Sequence, residues 1–177
     1  GATIFPGNMA LGATGDPSLA RQAGEVTGRE LSVLGINMNL APVLDVNSNP
    51  RNPVIGVRSY GDNVQLVSEM GAAYVQGLQS ACVVAVAKHF PGHGETTTDS
   101  HFSLPVVPHD YKTLNEFDLP PFAAAMQAGL DAVMTAHVIY PAYDSAEGPP
   151  ATLSRKVLSD VLRGEMKFDG IAVTDDL

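Results

Sequence analysis

Cysteine is nearly missing from this sequence: Cys82 is the single one in 177 residues. One thiol allows no internal disulfide and no cysteine-rich metal centre, and it suits either side of a membrane. Basic residues are scarce as well. Ten Lys and Arg stand against 19 Asp and Glu, a formal charge of −9. Nucleic acid and anionic membrane surfaces attract Lys/Arg patches, so neither is an expected partner. A neutral or weakly charged substrate is. No apolar run approaches the roughly 18 residues of a membrane-spanning helix. Gly1 opens the chain without the basic n-region of a signal peptide. No internal repeat, low-complexity tract or linker divides it.

What is present suits one folded unit. Hydrophobic residues make up 45% of the chain and charged residues 16%, enough to bury a core. Short apolar runs alternate with amphipathic segments. Between Asp16 and Leu34 the residues Leu19, Ala23, Val26, Leu31 and Leu34 recur at near-helical spacing. Asp16-Pro17 supplies an N-cap and an N1 proline, and Gly35 a stop. Ile36 to Asp45 reads as a strand, and the Asn/Pro-rich stretch from Asn47 to Pro53 as a loop. Asn63 to Ser80 reads as a helix and Val83 to Ala87 as a strand buried on both faces. After the Gly/Pro/Thr-rich loop Pro91 to His101 come a helix from Asp118 to Gly129 and a strand from Ala132 to Ala136. A helix from Ser154 to Glu165, capped by Ser154, and a strand from Ile171 to Thr174 complete the pattern. Strands separated by helices of this length indicate a parallel sheet.

The polar residues recur in one place. Asp45, Lys88-His89, His137 and Asp175-Asp176 each follow an apolar strand run. In a (β/α)8 barrel that C-terminal face carries the active site; doubly wound sheets obey a similar rule. The pattern leaves both architectures open, and only about four strands are present where a barrel needs eight.

The densest chemistry lies between Lys88 and His101. His89 and His93 stand four apart, but Pro91 and Gly92 between them rule out a helical pair of metal ligands. No metal or cofactor is expected. Asp99 and His101 point to the same side of an extended loop, so the carboxylate can orient an imidazole that moves protons near neutral pH. A plain loop cap is the other reading of His101. Asp175 continues a strand and can face the mouth of a barrel as a nucleophile; as half of a helix N-cap pair it would be structural. Arg58, between two glycines, offers a fork of donors or lies on the surface. Lys88, directly after an apolar strand, would be costly to bury without a partner. Asp45 and His137 fit supporting roles, and His109 and Cys82 carry no assigned one.

Together these segments resemble family 3 glycoside hydrolases. The similarity lies in Asn39-Leu-Ala-Pro-Val-Leu-Asp-Val46, in Asn49-Pro-Arg-Asn-Pro-Val-Ile-Gly-Val-Arg-Ser-Tyr-Gly61 and in Lys88-His-Phe-Pro-Gly-His-Gly94, followed by Val173-Thr-Asp-Asp-Leu177. Asp99-Ser-His101 with Leu104-Pro105 is similar to the loop of the β-N-acetylglucosaminidase branch. The resemblance implies a (β/α)8 barrel truncated here to its middle strands, the first two and last two being absent. It implies a retaining exo-β-N-acetylglucosaminidase acting on peptidoglycan- or chitin-derived sugars. Asp175 would be the nucleophile, and His101, partnered by Asp99, the acid/base. Arg58, Lys88 and His89 would hold sugar hydroxyls. The family's acidic strand before the Phe5 to Gly12 stretch has no counterpart, so the Asp it contributes is missing. A phosphorylase of the same family is the nearer alternative, because a histidine acid/base lets phosphate approach where a carboxylate repels it. A non-catalytic sugar-binding remnant is the other.

Overall fold

The computed structural model describes residues 2–98 and 104–175. Four parallel strands form one sheet: β1 (Met38–Asn39), β2 (Val84–Phe90), β3 (Ala132–Thr135) and β4 (Ile171–Thr174), in the order β1-β2-β3-β4. That order decides between the two architectures. A doubly wound sheet reverses its strand order at a switch point. Here each crossover leads to the next strand in line, and right-handed crossovers in one direction put every helix on one side. The fold is an α/β fold, part of a (β/α)8 barrel.

The two faces of the sheet differ accordingly. Val84, Val86, Ala132, Met134 and Val173 form a small inner cluster with Met38. Ala85, Ala87 and Val133 alternate with them and join the large core beneath the helices. Both edges of the sheet carry exposed apolar side chains, among them Leu40 beside β1 and Ile171 on β4.

The helices are α1 (Asn8–Gly12), α2 (Pro17–Val33), α3 (Val64–Gln79), α4 (Tyr111–Thr113), α5 (Pro120–Gln127) and the π-wound α6 (Lys156–Glu165). Asp16 caps α2 by accepting from the Ser18 amide at 2.9 Å, and Asn63 caps α3 by accepting from Leu66 at 2.9 Å. Ser154 accepts from the Val157 amide at 3.1 Å, the expected cap of α6. No helix among the described residues is long and apolar enough to cross a membrane.

The buried face of α2 is not the one its large side chains suggest. Ala20, Ala23, Gly24 and Gly28 are buried, whereas Leu19 and Leu34 are exposed. The reason is a close crossing with α3. A Cβ at Gly24 would lie 2.5 Å from the Tyr74 carbonyl oxygen, and one at Gly77 would lie 2.1 Å from that of Arg21. Glycine costs a helix about 1 kcal/mol relative to alanine, and here it permits backbone-to-backbone packing.

Three further boundaries differ from the pattern. The strand expected from Ile36 to Asp45 is regular only at Met38–Asn39. Pro42 lacks an amide hydrogen, and beyond it the chain runs beside β2 through one bridge, Val43 to Lys88. β2 itself extends to Phe90, so Lys88 and His89 lie within the strand and not after it. The helix expected to begin at Asp118 is α5, which begins at Pro120; Asp118 instead closes a π turn, Leu114–Asp118, that follows α4 and its cap Asp110.

Candidate active site

The C-terminal ends of the strands bring Asp45, Lys88, His89 and Asp175 together. Asp45 arrives on the irregular segment held against β2 by the Leu44 amide, which donates to the Lys88 carbonyl at 2.7 Å. Inner-face parity carries from Val84 and Val86 to Lys88, and from Val173 to Asp175. Parity alone would turn His89 towards the helices. The register between β2 and β3 shifts between Ala87 and Phe90, and His89 stands with the inner group.

Asp45 is fully buried. Its carboxylate accepts from His89 Nδ1 at 2.7 Å, from the His89 amide at 3.1 Å and from the His93 amide at 2.7 Å. Burial alone would raise its pKa. The charge and hydrogen bond of His89, with help from His93, outweigh that and hold it below the ordinary carboxylate range. One carboxylate therefore fixes both the ring and the backbone of the loop that follows β2.

Arg58 enters from the opposite side, on a single 3-10 turn, Gly56–Arg58. Its guanidinium donates to the Val54 carbonyl at 3.2 Å and lies 3.4 Å from His89 Nε2. His89 Nε2 is also 4.0 Å from Asp175 Oδ2. With Nδ1–H committed to Asp45, Nε2 is free to accept from Arg58 in the neutral ring. Lys88 is half-buried; burial and Arg58 lower its pKa, while Asp175 and Asp45 pull it back up. Asp175 itself is about a quarter exposed, as a group that must meet a ligand has to be.

A polar scaffold beneath this cluster went unread in the sequence. Buried Asn52 donates to the His93 and Gly94 carbonyls, both at 2.9 Å, and accepts from the Val54 and Ile55 amides. Ser59 donates to the Asp45 carbonyl at 2.6 Å. His93 shares a 2.7 Å hydrogen bond with Thr96 Oγ1, and burial lowers its pKa. The signal that could have found Asn52 is its position between two prolines, where an Asn side chain closes a turn.

The structure thus brings Arg58, Lys88, His89 and Asp175 to one rim and adds Asp45 as their organiser. Asp99 and His101 lie outside the described residues. His137 is hydrogen-bonded through Nδ1 to Thr152 at 3.0 Å, on the side of β3 that Thr135 faces. No group of three or more His, Cys, Asp or Glu among the described residues could hold a metal ion. The site is a set of opposite charges around an open mouth, able to orient hydroxyl groups beside a carboxylate.

Comparison with known proteins bears on this geometry. Residues 1–177 match the family described as "Glycosyl hydrolase family 3 N terminal domain". Beta-hexosaminidase A of Pseudoalteromonas piscicida is 45% identical over 190 residues, covering 99% of this chain and 32% of that protein. The solved family 3 β-N-acetylglucosaminidase from Paenibacillus sp. str. FPU-7 is 55% identical with a TM-score of 0.96, covering 99% of this chain and 33% of that one. The β-glucoside phosphorylase BglX is 30% identical with a TM-score of 0.95, covering 98% and 33%. The chain spans about a third of the length of these relatives.

Proposed function

Since the chain belongs to glycosyl hydrolase family 3, we propose that it forms the catalytic face of a retaining exo-β-N-acetylglucosaminidase. The observation that carries this reading is the Asp175 carboxylate beside His89, within a rim that also holds Lys88 and Arg58. The names of two similar proteins, a beta-hexosaminidase and a β-N-acetylglucosaminidase, support the choice of sugar. The substrates are terminal GlcNAc residues of peptidoglycan- or chitin-derived fragments. Further strands cover the exposed apolar edges at β1 and β4 and close the barrel.

In the first step an Asp175 oxygen attacks the anomeric carbon and the bond to the aglycone oxygen breaks. The His101 imidazolium, its charge stabilised by Asp99, gives its proton to that oxygen and is left neutral. A water then attacks the glycosyl-enzyme, passes its proton to His101, and frees Asp175. Arg58, Lys88 and His89 hold hydroxyls whose hydrogen bonds strengthen as the ring flattens towards an oxocarbenium ion.

The likeness to a phosphorylase supports one alternative acceptor, phosphate in place of water. Full-length protein incubated with a chromogenic β-GlcNAc and the matching β-glucoside, with and without phosphate, tests both readings. Release from the GlcNAc substrate that phosphate does not accelerate is expected. Phosphate-dependent release would favour the phosphorylase, and silence on both sugars would sink the glycosidase reading.

A further inference from the structure

A second carboxylate–imidazole pair lies behind the loop that follows β2, and it touches none of the rim residues. His109 Nδ1 donates to Asp118 Oδ2 across 2.6 Å, with the Asp118 side chain 1% exposed and that of His109 16%. A buried carboxylate is costly unless paired. Asp118 also presses on the loop. A Cβ at Gly92 would lie 2.8 Å from both Asp118 Cβ and Asp118 Oδ1. From another direction the Tyr140 hydroxyl donates to the Gly92 carbonyl. Gly92 donates in turn to the His89 carbonyl at 2.8 Å, and the next amide, that of His93, donates to Asp45. Gly92 is therefore wedged between the pair and the site.

His109 holds the returning limb. The segment from Leu104 to His109 is pinned by the Val107 amide to the Ile139 carbonyl at 3.0 Å and by the Ile139 amide to the Pro105 carbonyl at 2.9 Å. One ion pair thus joins both described flanks of the segment that carries Asp99 and His101.

We propose that His109 and Asp118 form a proton-dependent latch that positions the Gly92–Thr96 segment, and through it His89, beneath the sugar. Both are positioning residues, and the catalytic part of this inference rests on the glycosidase reading above. The charged groups facing His109 are Asp118, Glu95 and Asp110; those facing Asp118 are His109, Asp45 and Glu95, with the neutral Tyr140 hydroxyl nearby. The hydrogen bond to Asp118 raises the His109 pKa, against its partial burial. The contribution of His109 is then fully present below the ordinary histidine value of about 6.5 and fades as pH rises through its raised value. Burial raises Asp118, so the cost of its buried charge is relieved as pH falls through that carboxyl's raised value, and the pH-dependent loss of the latch lies on the alkaline side.

Hydrogen exchange on the full-length protein, with His109→Leu, Asp118→Asn and His109→Asn, tests this. His109→Leu and Asp118→Asn should speed exchange of the Gly92–Thr96 amides about tenfold or more while α3 amides keep their protection, since a charge-assisted bond is lost. The wild-type loop should loosen in the same way, beyond the intrinsic pH effect, as pH passes the His109 value. In activity, Asp118→Asn should move the alkaline limb of kcat/KM to lower pH. His109→Asn, which keeps a donor near Nδ1 without a charge, should restore much of the protection and abolish its pH dependence. Unchanged loop exchange in His109→Leu and Asp118→Asn overturns the latch, whatever the activity. Wild-type pH dependence surviving in His109→Asn overturns it too. Coupled exchange in a protein that does not turn over GlcNAc would keep the latch and sink the sugar reading.

Discussion

Replacing Asp45 by asparagine separates two jobs that one carboxylate does. Asp45 is completely buried and accepts three hydrogen bonds, from two backbone amides and the His89 ring. Asparagine keeps one oxygen, enough for the His89 and His93 amides, which both use Oδ1. The group facing His89 Nδ1 becomes an NH2 donor. That ring nitrogen must then lose its proton and Nε2 must take one, which sets Nε2–H against the Arg58 guanidinium 3.4 Å away. A hydrogen bond to a charged group contributes about 1.5–3 kcal/mol and a neutral one about 1. A stability loss of about 1–2 kcal/mol is expected, read by denaturant titration at constant m-value. Activity should suffer more, because His89 presents the wrong nitrogen to the sugar. A fall in kcat/KM of about 10–100-fold follows from one lost charge-assisted contact to the ligand. The pKa direction adds a second check. Asp45 is held low, so its contribution is present above the unfolded carboxylate value of about 3.9 and is lost as pH falls through its depressed folded value. Asp45→Asn should flatten that acid loss of stability. Wild-type kinetics together with wild-type acid stability in Asp45→Asn would refute the reasoning.

Other outcomes follow from single contacts. Arg58→Lys gives up both the bond to the Val54 carbonyl and the contact with His89; kcat/KM for the GlcNAc substrate should drop about tenfold or more, with stability within about 1 kcal/mol of wild type. Gly94→Ala would set a Cβ 1.7 Å from the Val46 carbonyl oxygen. Backbone must move to relieve it, so a loss of about 3 kcal/mol or more is expected in thermal or denaturant unfolding.

The strand-end rule let the sequence point to Lys88, His89 and Asp175, since each follows an apolar run and the fold needs those runs inside. Local pattern left the barrel and the doubly wound sheet both open; the family resemblance implied the barrel, and the strand order decides for it. Periodicity misjudged α2, because it weighs large apolar side chains, whereas Gly24, Gly28 and Gly77 carry the crossing with α3 by having none. The strand-end rule also singled out Asp45 but gave it only a supporting role; how it acts lies in a partner 44 positions away. The pair of His109 and Asp118 is invisible for a similar reason, since nothing in nine residues of sequence says that a helix turn brings them together. For Asp99 and His101 the family resemblance spoke where spacing left two readings open.

The most direct test of the central claim is to look for sugar on Asp175. Full-length protein turning over a fast chromogenic β-GlcNAc should be quenched in acid, digested and weighed by mass spectrometry. A retaining mechanism predicts a peptide containing Asp175 heavier by one GlcNAc residue, with the adduct gone in Asp175→Ala. Steady turnover with Asp175 unmodified, or with product of inverted configuration, would contradict it.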